Sequence, residues 1–148
     1  MDQCATSTAT LEDLLGTWRL LSVSSWRDDQ LHDAHPYGHF PVGFIHYLPD
    51  GRMSVIIAYG QRPTLSGDRL DSSVEERAGA YSSIIAYAGT YELVGGTIVH
   101  RIEVSAYPNE IGSKQIRHFH IADNRVHLTT VPLRRGGIPT VYKLIWER

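Results

Sequence analysis

The sequence feature that most constrains the fold is a hairpin pattern between Tyr87 and Ile102. Two runs of alternating apolar and polar residues flank Gly95-Gly96, and glycine adopts the positive φ that tight primed turns need. With these glycines as the loop, Tyr91 lies opposite His100, and directly opposed residues share one face of a sheet. The face that carries both is otherwise apolar. We therefore expect the imidazole and the phenol to point into the protein.

A second hairpin is predicted around Pro49-Asp50-Gly51, but its register is ambiguous. A two-residue loop turns His46 inward, whereas a bulged three-residue loop pairs Tyr47 with Met53 and leaves His46 outside. The two registers bury opposite faces, because a slip of one residue reverses every side chain. We favour the bulged form.

A third hairpin, from Lys114 to Val131, carries an arginine inward. Its buried face contains Phe119 and Leu128, and Arg117 lies on the same face by alternation. A guanidinium keeps its charge and is costly to bury without a partner. No Asp or Glu falls on the predicted inward faces. The partner is then an anionic or enolate-like ligand oxygen, or else backbone carbonyls, a water chain or a carboxylate at the cavity edge such as Glu110.

The remaining segments complete an all-β pattern. A helical turn at residues 11–16 precedes the first strand, and a helix begins at Ser72 or Ser73, each followed by glutamate at capping-box spacing. That helix is predicted to present Val74, Ala78, Tyr81 and Ile85 as one stripe. Eight to ten short antiparallel strands with one inserted helix favour an up-and-down barrel. We assign residues 1–10 to a flexible tail and 11–148 to the barrel domain.

Composition excludes several function classes. The chain has 148 residues and a formal charge of −2, without the clustered Lys and Arg of a nucleic-acid surface. No apolar run is long enough to span a bilayer, and the first residues lack a secretory signal pattern. A single cysteine, Cys4, rules out an intrachain disulfide framework. We expect a cytoplasmic protein that contacts neither nucleic acid nor membrane, and a homodimer is an open alternative to a monomer.

Eight short stretches, which together span nearly the whole chain, match the motifs of one protein family in their order along the sequence: Leu14-Leu15-Gly16-Thr17-Trp18-Arg19-Leu20, Pro36-Tyr37-Gly38, Asp50-Gly51-Arg52-Met53-Ser54, Tyr87-Ala88-Gly89-Thr90-Tyr91-Glu92, Val99-His100, Tyr107-Pro108-Asn109, Gln115-Ile116-Arg117 and Ile145-Trp146-Glu147-Arg148. By these stretches the chain resembles the small lipocalin-like domain proteins of bacteria and fungi. The resemblance implies a calycin-type barrel in which Trp18 closes one end with Arg148 stacked near it. It also implies a function in small-molecule chemistry, since some fungal relatives are similar to cofactor-free cyclases and isomerases, including pericyclase-like enzymes.

The sequence departs from the family pattern at two kinds of position. Glu110 stands where the family commonly has Trp, a change at the expected barrel mouth. Six histidines are not family features and inherit no role from it: His32, His35, His39, His46, His118 and His120. On the outer face of the third hairpin, His118, His120 and His127 have plausible metal-ligand spacing, but no carboxylate or cysteine is placed to complete a site. We predict neither a metal nor a cofactor.

Three functions remain open. In the first, the protein is a cofactor-independent cyclase or isomerase of secondary metabolism, in which His100, oriented by Tyr91, moves a proton and Arg117 stabilises negative charge on an oxygen. In the second, it is a non-catalytic carrier of a hydrophobic small molecule. In the third, the lumen is filled and the protein is an interaction module. For the first two, the predicted cavity wall consists of Trp18, Tyr37, Tyr47, Met53, Tyr87, Phe119, Leu128, Tyr142 and Trp146.

Overall fold

Ten antiparallel strands form the structure, a computed structural model that describes residues 9–148, with Arg135 described by its backbone only. The strands are β1 (Gly16–Arg27), β2 (Gln30–Asp33), β3 (Val42–Tyr47), β4 (Arg52–Ala58), β5 (Ile84–Val94), β6 (Thr97–Ser105), β7 (Lys114–Ala122), β8 (Arg125–Thr130), β9 (Leu133–Arg135) and β10 (Ile138–Glu147). Helix α1 (Leu11–Leu14) precedes them, α2 (Val74–Ser82) lies between β4 and β5, and a single 3₁₀ turn spans Pro108–Glu110. None of the described helices has the length and apolar character to cross a membrane.

Eight of the strands close into a barrel. The sheet order is β2-β1-β3-β4-β5-β6-β7-β8-β10-β9, and pairing of β1 with β10 completes the ring while β2 and β9 extend from it. Closure leaves the ring without a free edge, as the alternating pattern requires of a barrel. The predicted all-β, lipocalin-like barrel is therefore confirmed. The predicted tail over residues 1–10 lies mostly outside the described residues.

Hairpin registers follow the turn chemistry of the sequence. Around Gly95-Gly96, Tyr91 pairs with His100 as expected. The hairpin at Asp50 takes the bulged register, with Tyr47 opposite Met53, and the alternative that turned His46 inward is wrong. In the third hairpin, Arg117 pairs with Thr130 and Phe119 with Leu128, also as predicted. These registers decide which side chains face the lumen.

Helix α2 differs from its predicted form. Ser73 caps it, its hydroxyl accepting from the Glu76 N–H at 3.1 Å, while the Glu76 carboxylate accepts from Ser66 Oγ at 3.0 Å instead of returning to the cap. The predicted stripe is wrong: Val74 is 73% exposed, no residue of the helix is buried, and Ile85 belongs to β5. Strand pairing ends the helix before Ile85, because backbone bonds to β4 outweigh a weak helical preference.

One end of the barrel is sealed by an aromatic plug. Trp18 is fully buried and its indole N–H donates to the Leu14 carbonyl at 2.8 Å. The guanidinium of Arg148 lies 4.1 Å from the Trp18 ring centroid and donates to the carbonyls of Leu15, at 2.7 Å, and Asp13, at 2.8 Å. The stacking expected from the family resemblance is confirmed. We call this the closed end.

We expect Arg148→Ala to lower the free energy of unfolding by about 1–2 kcal/mol, because it removes a cation–π contact and two charge-assisted bonds to the carbonyls of Asp13 and Leu15. Arg148→Lys restores the charge but not the planar fork, so it should recover only part of this loss. Urea unfolding followed by tryptophan fluorescence measures both. Full recovery by lysine would contradict the geometric role of the guanidinium.

Gly89 sits at a bulge where β5 changes register against β6. A Cβ atom built there would lie 1.8 Å from the Arg101 carbonyl oxygen, so the backbones approach too closely for any side chain. Gly89→Ala should therefore destabilise the barrel by at least about 2 kcal/mol. Gly96→Ala in the same hairpin is the control, since nothing lies within 4 Å of its added methyl. Equal urea midpoints for the two variants would refute the close approach.

Candidate functional site

The barrel encloses a cavity of about 760 Å³ in the half away from the Trp18 plug. Its wall includes aliphatic side chains of β4, β8 and β10, among them Val55, Leu128 and Leu144, and the indole of Trp146. The volume is that of small-molecule pockets, and the wall combines apolar and polar side chains. The lumen is not filled by side chains, so the third alternative loses its structural basis.

Aromatic rings surround the mouth of the cavity. Tyr37 stacks on Tyr59 with ring centroids 4.5 Å apart and lies 6.0 Å from Tyr142. Tyr81 of α2 and Tyr107 of the β6–β7 loop line the cavity while each remains 50% exposed. This half-exposed aromatic rim marks the route between the lumen and solvent.

His100 lies at the inner end of the cavity with both ring nitrogens bonded. It is 1% exposed. The Tyr47 hydroxyl is 2.8 Å from Nε2 and the Tyr87 hydroxyl is 2.7 Å from Nδ1. Tyr47 lies on the side of the closed end, whereas Tyr87 lines the cavity. The three side chains thus form a continuous polar chain from the packed core to the lumen.

Tyr91 does not orient His100, and that prediction is wrong. The two residues pair across the hairpin, but the Tyr91 hydroxyl donates to the Leu48 carbonyl at 2.8 Å. A tyrosine ring carries its hydroxyl well beyond its own Cβ, so strand pairing alone does not identify the hydrogen-bond partner. The partners of His100 come from β3 and from a more distant part of β5.

Burial sets the protonation state of this chain. It lowers the pKa of His100 to about 3, with the Arg117 charge acting in the same direction. Burial also raises the pKa of Tyr87 to about 12, against the opposing effect of Arg117, and raises the pKa of Tyr47 well above its ordinary value. All three groups are therefore neutral across the physiological range.

Arg117 faces the cavity without a carboxylate partner. Its guanidinium donates to the Ile116 carbonyl at 3.1 Å and to Gln115 Oε1 at 3.4 Å. In residues 9–148 no ion pair involves it. Its predicted inward position is confirmed because it lines the cavity. The positive charge is held by neutral acceptors, which leaves donor capacity toward the lumen.

Glu110 lies at the cavity wall, where the sequence departs from the family pattern. Its carboxylate accepts from Ser105 Oγ at 2.8 Å rather than from Arg117. Neighbouring Asn109 also lines the cavity and donates to the Tyr107 hydroxyl at 3.0 Å. The substitution thus places a carboxylate in the mouth, on the 3₁₀ turn.

The structure places five of the nine predicted wall residues on the cavity, and their role in binding stays a prediction. The five are Tyr37, Tyr87, Leu128, Tyr142 and Trp146. Of the other four, Trp18, Tyr47 and Met53 are buried in the core, and Phe119 is partly buried and packs against it. Alternation identifies the inward face of a strand but not the height of a residue along the barrel. Height depends on how all eight strands are staggered.

The wall residues that come from connections between strands, such as Tyr59, Ala106 and Ser113, are not among those predicted from the sequence. Loop positions carry no period that indicates a face. A signal that could have indicated some of them is the occurrence of tyrosines just beyond the ends of strands, as at Tyr59 and Tyr107.

The outer histidines do not form a metal centre. His120 and His127 lie with ring centroids 5.7 Å apart, and all three histidines of the trio are exposed. Over the described part of the chain, no cluster of three or more His, Cys, Asp or Glu is arranged to hold a metal ion.

A closed antiparallel barrel that is plugged at one end and open to a cavity through an aromatic rim is an architecture that can enclose a small molecule. The chain belongs to the lipocalin-like domain family, which it matches over residues 15–148. It is also similar to a 4'-hydroxy-3'-methoxypropiophenone carrier protein of Aspergillus oryzae, with 34% identity over 88 residues that cover 53% of this chain and 79% of the relative. No solved structure matches the chain significantly.

The burial of neutral His100 predicts a loss of stability in acid. Its pKa in the folded protein, about 3, lies below its ordinary value of 6.5. Between pH 6.5 and pH 3, His100 is therefore protonated in the unfolded chain but stays neutral in the folded chain. Stability from this group is present above pH 6.5 and is lost as the pH falls toward 3, by up to about 1.4 kcal/mol per pH unit. Urea unfolding between pH 7 and pH 4 measures the slope.

Nuclear magnetic resonance of the His100 ring isolates this contribution from other titrating groups. The ring signals should stay at their neutral positions down to at least pH 4. A titration of His100 near pH 6 in the folded protein would contradict the predicted burial.

Proposed function

We propose that the protein is a carrier that binds a small, largely apolar aromatic molecule in the barrel and does not transform it. The observation that carries this proposal is the 760 Å³ cavity, whose wall combines aliphatic and aromatic side chains with fixed polar groups, among them His100, Tyr87 and Arg117. Such a site buries a ligand by the hydrophobic effect and orients it with a few fixed polar groups.

The carrier relative supports the same function. By its name it carries an aryl ketone that also bears a phenol and a methoxy group. A molecule of that size and polarity suits a cavity of this volume, with tyrosines at the mouth and Arg117 and Tyr87 inside. The ligand of the present chain is proposed to be of this aromatic class.

The state of His100 argues against its use as a proton-transfer group. A general base works best with a pKa near the working pH, whereas the pKa of His100 is about 3. Both ring nitrogens are already bonded to tyrosines. An imidazole held in this way anchors and orients, which is the role that a carrier requires.

Catalysis is retained as a second candidate because of Arg117. A guanidinium next to the Tyr87 hydroxyl at the cavity wall is suited to stabilise an enolate oxygen during a cyclisation or isomerisation. This mechanism needs no cofactor and no proton transfer by His100.

The assignments to the cytoplasm and to a homodimer stay predictions.

Cavity binding is tested by a matched pair of substitutions on β4. Val55 is buried and lines the lumen, whereas its neighbour Ile56 is 55% exposed on the outer face. Val55→Phe should weaken binding of 4'-hydroxy-3'-methoxypropiophenone at least about tenfold, since overpacking displaces ligand volume. Ile56→Phe should leave the affinity unchanged. Titration of tryptophan fluorescence, with calorimetry as a second method, gives both affinities.

Incubation of the protein with the same ligand distinguishes the carrier from the cyclase or isomerase. Chromatography of the ligand after prolonged incubation should recover it unchanged, as expected of a carrier. Conversion by the wild type that is lost in Arg117→Met would favour the cyclase or isomerase. Equal affinities for Val55→Phe and Ile56→Phe would place the ligand outside the barrel and overturn both.

A further inference from the structure

The direction of the hydrogen bonds around His100 is fixed by burial. A neutral imidazole has one donor nitrogen and one acceptor nitrogen, so one tyrosine donates to it and the other accepts from it. Tyr47 is 0% exposed and does not line the cavity, and its hydroxyl makes no hydrogen bond within residues 9–148 except to His100. Its hydroxyl proton therefore has one available acceptor, the Nε2 atom.

A hydrogen bond donated by His100 Nε2 to the Tyr47 oxygen would cost free energy. If Nε2 donated to Tyr47, the Tyr47 proton would be buried without an acceptor, which costs about 1–3 kcal/mol. With Tyr47 as donor, the imidazole proton is on Nδ1 and is donated to the Tyr87 oxygen, 2.7 Å away. Hydrogen-bond accounting thus assigns the Nδ1–H tautomer.

The consequence lies at Tyr87. Its oxygen accepts from His100, and its own proton is then free to point into the lumen that its side chain lines. Arg117, on the neighbouring wall, adds guanidinium donors that no carboxylate of the described chain neutralises. Trp146, also in the wall, has the one buried side-chain polar atom of the described residues that lacks a partner, again a donor, Nε1–H.

We propose that Tyr47, His100 and Tyr87 form a one-way hydrogen-bond chain that, with Arg117, selects ligands presenting a carbonyl oxygen to the inner end of the cavity. This inference rests on the proposed function, since it takes the lumen as the ligand site. A carbonyl oxygen accepts from Tyr87 and Arg117 together. A hydroxyl at this position would have a proton of its own and no acceptor for it among these groups.

Tyr47 then acts as a positioning residue that does not touch the ligand. Without its hydroxyl, Nε2 loses its donor, and Tyr87 becomes free to donate to Nδ1 instead of into the lumen. The fraction of molecules competent to bind a carbonyl falls, and the apparent affinity falls with it. Tyr91 provides the matched control, because its hydroxyl bonds to the Leu48 carbonyl and not to His100.

The tautomer is tested first and needs no ligand. Nitrogen-15 spectra of the His100 ring should show the proton on Nδ1 in the wild type and in Tyr91→Phe. In Tyr47→Phe the Nδ1–H signal should lose population to the Nε2–H form. A wild-type ring protonated on Nε2 would overturn the proposal.

Binding is tested with two probes that differ at one group: 4'-hydroxy-3'-methoxypropiophenone, and 2-methoxy-4-propylphenol, in which two hydrogens replace the carbonyl oxygen. Tyr87→Phe and Arg117→Met should each weaken ketone binding about tenfold and Tyr47→Phe about threefold, with changes below about twofold for the propylphenol. Tyr91→Phe should affect neither probe. Circular dichroism and urea midpoints check that each variant folds.

The outcomes separate the inference from the proposed function. Equal losses for both probes in Tyr87→Phe and Arg117→Met would overturn the selection of a carbonyl while leaving a ligand in the barrel. Unchanged ketone affinity in Tyr47→Phe would overturn the positioning role of Tyr47. Failure of the wild type to bind either probe, with His100 in the Nδ1–H form, would count against the proposed function and leave the hydrogen-bond direction standing.

Discussion

The polar interior of the barrel depends on one buried imidazole held between two phenols. His100 on β6 bonds to Tyr47 on β3 and to Tyr87 on β5, so a single side chain connects three strands of the ring. A buried polar group costs free energy unless its hydrogen bonds are made, and both nitrogens of this ring have partners. The chain therefore tolerates a histidine at the boundary between core and cavity. That histidine in turn fixes how Tyr87 faces the lumen.

The two ends of the barrel differ in packing: one is filled by side chains and the other holds the cavity. At the closed end, Trp18 fills the lumen and Arg148 covers it, so the hydrophobic core is continuous from the plug up to Tyr47. At the open end, tyrosines from α2, from the loops and from β10 form the rim of the cavity. The closed end supplies the stability that allows the other half to keep a cavity, which forgoes dispersion contacts across the lumen.

The ion pairs lie on the outside of the barrel, whereas the Arg117 guanidinium lies at the cavity wall. The ion pairs of the described chain, Arg19–Glu147, Arg52–Glu103 and Arg101–Glu92, have partly or largely exposed side chains and contribute little individually. Arg117 is the cation that faces inward, and it is satisfied by an amide and a backbone carbonyl rather than by Glu110. A guanidinium whose charge is not cancelled by a carboxylate keeps a strong field at the cavity wall.

The sequence alone determined the pairing and the inward faces of two hairpins, and it left two registers open for the hairpin at Asp50. Gly95-Gly96 fixed the register that opposes Tyr91 and His100, and alternation turned Arg117 inward, because turn chemistry and a period of two are local properties. Tertiary structure alone decided the partners of His100 and the depth of each side chain. Tyr47 reaches His100 from 53 positions away, and Trp18, Tyr47 and Met53 prove to be core rather than wall. Depth and long-range partners arise from the stagger of eight strands around a closed ring, and no local pattern encodes that stagger.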